Sequence, residues 1–86
     1  MRIRGFLIEE DIKRKILYKH DVRAEDIKEI IFNNPYILKI RDNRYLAIGK
    51  NHKFITLIFE VLKDIAVIIT AYPSSDAQRK LYKSKR

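Results

Sequence analysis

Apolar residues change their spacing midway along this 86-residue chain, from the three- and four-residue steps of helices to near-continuous β-branched runs. Ile12, Ile16 and Leu17 lie on one side of a helix that opens with Glu9-Glu10-Asp11 and closes with Lys19-His20. Acid first and base last is the order a helix dipole favours. Asp21 either ends this helix in turn geometry or caps the next one with its carboxylate. A second helix over residues 23–33 carries Ala24, Ile27, Ile30 and Ile31 at helical spacing, with Glu25 and Asp26 in its first turn. Asn33-Asn34-Pro35 stops it, because proline cannot continue the ladder and biases the residue before it away from helix.

From Tyr36 onward the pattern predicts strands over residues 36–41, 44–50, 54–62 and 65–72, linked by Asp42-Asn43, Asn51-His52 and Lys63-Asp64. Two-residue polar links between β-branched runs predict hairpins, hence an antiparallel meander. The third and fourth of these strands are apolar on both faces, which places them centrally, or between a helix on one side and a partner on the other. Residues 2–8 hold Ile3, Phe6 and Leu7, whose poor alternation allows a short additional strand at the start. Ser75-x-x-Gln78 is a capping box that opens a final helix through about Lys83. The expected fold is α+β: two N-terminal helices, a four-stranded antiparallel sheet and a C-terminal helix, in a single domain spanning 1–86.

Composition narrows the chemistry. A chain this short sits near the lower size limit for a self-sufficient core, and without cysteine neither a disulfide nor a zinc thiolate site can reinforce it. Lack of cysteine fits a reducing cytoplasm, and Met1-Arg2-Ile3-Arg4-Gly5 leads into acidic residues rather than a secretory leader. The apolar runs are broken by Glu60, Lys63 and Asp64 and are too short to span a bilayer, so no membrane role is expected. Net charge is +8 and unevenly distributed: residues 1–43 hold ten basic and eight acidic side chains, residues 44–86 nine and three. The carboxyl half therefore carries the field, with Lys80, Lys83, Lys85 and Arg86 at its end. Such a surplus suits a phosphate backbone or an acidic protein partner, or serves solubility alone.

Several residues carry two readings. His20, at a helix end, is either a cation stabilising the carbonyl end of the dipole or a proton-transfer group. His52 reads as a solvated turn residue, and two histidines without cysteine make a metal site improbable. Arg44 either pairs with Asp42 or braces a phosphate, and Arg79 with Tyr82, three apart, either packs the last helix onto the sheet or faces a ligand. Glu60 is either an inward general base or a charge that keeps a strand soluble. Tyr36, Tyr45 and Phe54 suit a core better than a base-stacking platform.

The order of these pieces from Ile12 onward resembles the BrnT-type toxins of prokaryotic toxin–antitoxin pairs, within the wider RelE/ParE-like group. The resemblance rests on Lys19-His20-Asp21-Val22 between two helices, the Asn34-Pro35 stop, Arg44-Tyr45-Leu46-Ala47-Ile48-Gly49, the Ile69-to-Tyr72 strand end, and Gln78-Arg79-Lys80-Leu81-Tyr82. It covers roughly four fifths of the chain. At two positions the chain differs: Tyr72 stands where the family's last strand usually ends in Arg, and Asp21 where Gly is frequent.

What the resemblance implies is a cytoplasmic, metal-independent endoribonuclease without cofactors, which arrests translation and is held inactive by a ribbon-helix-helix antitoxin. Cleavage through the ribose 2′-hydroxyl needs an aligned nucleophile, a proton acceptor, a proton donor and cations around the phosphate. His20, Arg44, Arg79 and Tyr82 are the catalytic residues it points to, with Lys19, Tyr72, Lys80 and Lys83 binding RNA. A non-catalytic basic domain of the same fold, holding nucleic acid or protein, is the competing expectation, as is a homodimer that buries the doubly apolar strands.

Overall fold

A computed structural model describes residues 2–84; Lys85 and Arg86, the last charges of the expected cationic end, lie outside them. Helix α1 (Glu10–His20) is followed after three residues by α2 (Ala24–Ile31). Asp21 ends α1 in the left-handed region at φ 54° and ψ 38°, and its amide donates to the Leu17 carbonyl at 3.0 Å. This is the conformation glycine adopts without steric cost, which accounts for glycine being frequent there. Arg23, not Asp21, flanks the start of α2, and its amide donates to the Asp26 carboxylate at 2.9 Å.

The four expected strands are present as β2 (Tyr36–Arg41), β3 (Arg44–Lys50), β4 (Phe54–Leu62) and β5 (Ile65–Pro73), each pair in sequence antiparallel. The sheet nevertheless has five strands rather than four. Gly5–Leu7 forms β1, which runs parallel to β5 with Gly5 opposite Ile65 and Leu7 opposite Val67, giving the order β1-β5-β4-β3-β2. A three-residue strand is too short to show a period, and its partner lies at the other end of the chain. The α+β class stands, with one parallel edge added to the meander.

Strand β4 is the middle of the five, which is why it is apolar on both faces. On one face Ala47, Leu57 and Ala71 stand in register, as do Phe59 and Ile68, and they pack against Ile16, Val22, Ile27 and Ile30 from the two helices. Gly49 lies where α2 comes closest: a Cβ there would sit 2.6 Å from Ile30 Cγ2. The opposite face carries Ile48, Thr56 and Tyr72 in register, and helix α3 (Asp76–Lys83) lies against it. Its capping box forms as expected, with Ser75 Oγ accepting from the Gln78 amide at 3.2 Å and Gln78 Oε1 accepting from the Ser75 amide at 2.9 Å.

The β3–β4 turn is tied to α2. Asn51 Nδ2 donates to Asp26 Oδ1 at 2.7 Å and to Glu29 Oε1 at 2.8 Å, while Lys53 Nζ donates to the Asp21 carbonyl at 2.5 Å. Asp26 is buried, at 5% exposure. Burial by itself raises a carboxyl pKa, but the Arg23 amide, the Asn51 amide and the charges of Lys53 and His52 outweigh it and hold Asp26 below the ordinary value. His52, 3.9 Å from Asp26 and largely exposed, occupies the turn position its sequence context suggests.

Candidate functional site

Chemistry-bearing side chains converge where α3 crosses the ends of β3, β4 and β5. The capping box fixes the start of α3, so Arg79, Tyr82 and Lys83 project from one helix beside Phe54, the first residue of β4. The Tyr82 ring meets the Phe54 ring edge-on at 5.7 Å. Three cations surround that same ring: Lys50 at 5.1 Å, Lys83 at 5.8 Å and Arg79 at 6.0 Å from its centroid. An aromatic face favours cations, so Phe54 gathers positive charge that would otherwise spread by mutual repulsion. The Arg79 guanidinium also pairs with Asp76 one turn earlier on α3.

Next to this cluster runs a chain of polar contacts. Thr56 Oγ1 lies 2.7 Å from Ser74 Oγ and donates to Gln78 Oε1 at 2.9 Å, and Gln78 Nε2 donates to Tyr72 Oη at 3.1 Å. Thr56 is fully buried, and this network satisfies its hydroxyl. The Tyr72 ring in turn faces His20, with ring centroids 6.4 Å apart. Helix α1 packs on β5, and β1 pairs only with residues 65–67, so β5 beyond them has no strand neighbour on that side and His20 can reach its end.

The fold thus brings together His20 with Tyr72, and Arg79, Tyr82 and Lys83 with Phe54, linked through Gln78. Lys19 and Lys80 are exposed on α1 and α3. Arg44 stands apart. It begins β3 at the end opposite Lys50, about 20 Å away along the strand, and its Nε and Nη2 donate to Glu60 Oε2 at 3.2 and 2.7 Å. Its partner is therefore the residue across from it in the β3–β4 register, not Asp42, and Glu60 is accounted for by the same pair. Tyr45 stacks on Phe59 at 5.8 Å, adjoining the core.

Sequence reasoning did not single out Lys50 or Thr56, placed Phe54 in the core, and used Gln78 as a cap and as part of the resembling motif, without a place in the site. The one local signal for Phe54 was its position at a strand start between Lys50 and Lys53. A separate groove along α2 is lined by Glu25, Lys28, Glu29, Phe32, Asn33 and Asn51; its carboxylates oppose a phosphate backbone. Among the described residues no group of three or more His, Asp or Glu side chains is arranged to hold a metal ion, and no helix is long and apolar enough to cross a membrane.

No family model matches the sequence, and no curated protein matches it in sequence. A solved structure does resemble it, the crystal structure of the ribonuclease toxin BrnT of Brucella abortus. The two superpose with a TM-score of 0.68 over 84% of this chain and 97% of that one, at 17% sequence identity. Across most of both chains this protein has the fold of a BrnT-type toxin.

Proposed function

We propose that the protein is the toxin of a toxin–antitoxin pair and a metal-independent endoribonuclease acting on single-stranded RNA. The observation that carries this reading is the surface around α3, where a histidine, two tyrosines and three cations collect on a BrnT-type fold. His20 accepts the proton of the ribose 2′-hydroxyl as that oxygen attacks phosphorus. The bond from phosphorus to the 5′-oxygen breaks, the 5′-oxygen takes up a proton from solvent water, and a 2′,3′-cyclic phosphate and a 5′-hydroxyl result. Arg79, Lys50 and Lys83 offset the charge on the phosphate oxygens, the Tyr82 hydroxyl hydrogen-bonds to the developing oxyanion, and Phe54 presents its ring to a base. Lys19 and Lys80 extend the basic track on either side. Arg44, engaged by Glu60, lies outside this surface. The partner is a ribbon-helix-helix antitoxin with an acidic segment that covers the same cations in the cytoplasm.

The test is cleavage of a mixed RNA in the presence of chelator by the wild type, His20→Ala, Arg79→Ala and Tyr82→Phe. Loss of cleavage in variants that keep their circular dichroism supports the reading; an inert wild type, free of antitoxin, refutes it. A second reading, a nucleic-acid-binding domain without catalysis, draws on two observations: Asp76 already engages Arg79, and Tyr72 stands in place of a further arginine. An inert wild type that still binds RNA selects it.

A further inference from the structure

The hydrogen bonds beneath α3 have a fixed direction, and it ends at Tyr72. The amide of Ser75 can only donate, and it points at one end of the Gln78 carboxamide at 2.9 Å, so that end is the oxygen. The Gln78 oxygen also receives the Thr56 hydroxyl proton at 2.9 Å. Having donated there, Thr56 must accept from Ser74 Oγ across their 2.7 Å contact. The remaining end of Gln78 is its NH2, which donates to Tyr72 Oη at 3.1 Å. Tyr72 therefore accepts from Gln78, and among the described residues no acceptor takes its own hydroxyl proton.

We infer that the Tyr72 hydroxyl is a preset hydrogen-bond donor for an anionic phosphodiester oxygen, and that Gln78 is the positioning residue that holds it in that polarity. The inference deepens the RNA-directed reading above and rests on it for the ligand class. A donor that is already oriented loses little freedom when the oxyanion arrives, and a second donor at the same oxygen, from Gln78, strengthens it by polarisation. It also gives Tyr72 a role at the strand end where the resembling toxins usually carry an arginine: a neutral donor in place of a cation. His20, across from the Tyr72 ring, borders the same position.

A carboxylate at position 78 reverses the chain. In Gln78→Glu the Ser75 amide and the Thr56 hydroxyl keep an acceptor, so the helix cap survives, but the second carboxylate oxygen now accepts the Tyr72 proton and removes it from the ligand. The probe is a short single-stranded 2′-O-methyl oligonucleotide, which cannot supply the attacking hydroxyl, read by fluorescence anisotropy over a range of salt. Tyr72→Phe and Gln78→Glu are each expected to weaken binding by about tenfold, the scale of one hydrogen bond to a charged group. Tyr72→Phe should leave the salt slope unchanged, because no cation has been removed. Gln78→Glu also adds a negative charge that repels the strand on its own. The double variant separates the two effects: if Gln78 acts through the tyrosine hydroxyl, the substitution at 78 costs much less in the Tyr72→Phe background.

Wild-type affinity in Tyr72→Phe, a penalty at 78 that persists undiminished in the double variant, or no binding by the wild type overturns the assignment. Cleavage of the matching ribo-oligonucleotide is scored separately. A wild type that binds the methylated strand with the expected Tyr72 dependence, yet leaves the ribo strand intact, refutes the ribonuclease reading while upholding the donor.

Discussion

Gly49→Ala adds one methyl group at the closest approach of α2 to the sheet. The new Cβ would lie 2.6 Å from Ile30 Cγ2, 3.0 Å from Cδ1 and 3.3 Å from Cβ. Carbon atoms rest at about 3.5–4.0 Å, so the first of these contacts is roughly 1 Å too short. Ile30 is 1% exposed, and a β-branched side chain on a helix has essentially one χ1 rotamer, so Cγ2 cannot swing away. Helix α2 must lift or Ile30 must leave its rotamer, a cost of about 1–3 kcal/mol. Replacing a strand glycine returns roughly 0.5–1 kcal/mol. Mid-range values leave a net loss of about 1 kcal/mol, and at about 4–8 °C per kcal/mol for a domain of this size the thermal midpoint should fall by about 4–8 °C. Circular dichroism melts and urea titrations measure it. Ile30→Ala alone should cost about 2–5 kcal/mol, and distinctly less in the Gly49→Ala background, because the methyl group fills the space the isoleucine leaves. An unchanged or raised midpoint in Gly49→Ala, or strictly additive losses in the double variant, would refute the packing argument.

Asp26→Asn should destabilise by about 1–3 kcal/mol at neutral pH, since the amide cannot accept from Arg23 and Asn51 together as the carboxylate does. Its folded pKa lies below the unfolded 3.8, so its contribution is present above about pH 4 and disappears as pH falls through the folded value; the urea midpoint of the variant should be flatter on the acid side than that of the wild type. Asp21→Gly should raise the thermal midpoint by a few degrees, because the position is left-handed and the exposed carboxylate gives up only a 3.8 Å pairing with Lys53. Lys63 and Asp64 both have positive φ, the requirement of a type I′ hairpin turn, and the Asn-Gly replacement should stabilise the protein in the same melts. In the cleavage assay Arg44→Ala should cost markedly less than Arg79→Ala; equal losses would place Arg44 back in the site.

Local chemistry determined most of the element order before any contact was known. Helix ends follow from charges, caps and Pro35; hairpins follow from two-residue polar links; and the Ser75–Gln78 box is written within four residues. These signals act between neighbours, so one sequence displays them. The parallel pairing of β1 with β5 was not legible, because it joins Gly5 to Ile65 and three residues have no period to read. The candidate site divides along the same line. His20, Arg79, Tyr82 and Lys83 stood out by residue type and place, whereas the Arg44–Glu60 pair depends on strand register, and the Phe54 cluster depends on how α3 crosses the sheet. Gln78 shows the difference most plainly. Its spacing from Ser75 announces a helix cap, and only the packing of α3 over Thr56 and Tyr72 turns the same carboxamide into a link that sets the direction of a hydroxyl. Sequence determines what a side chain can donate or accept; tertiary structure decides which groups stand within about 3 Å of it, and hence where its protons go.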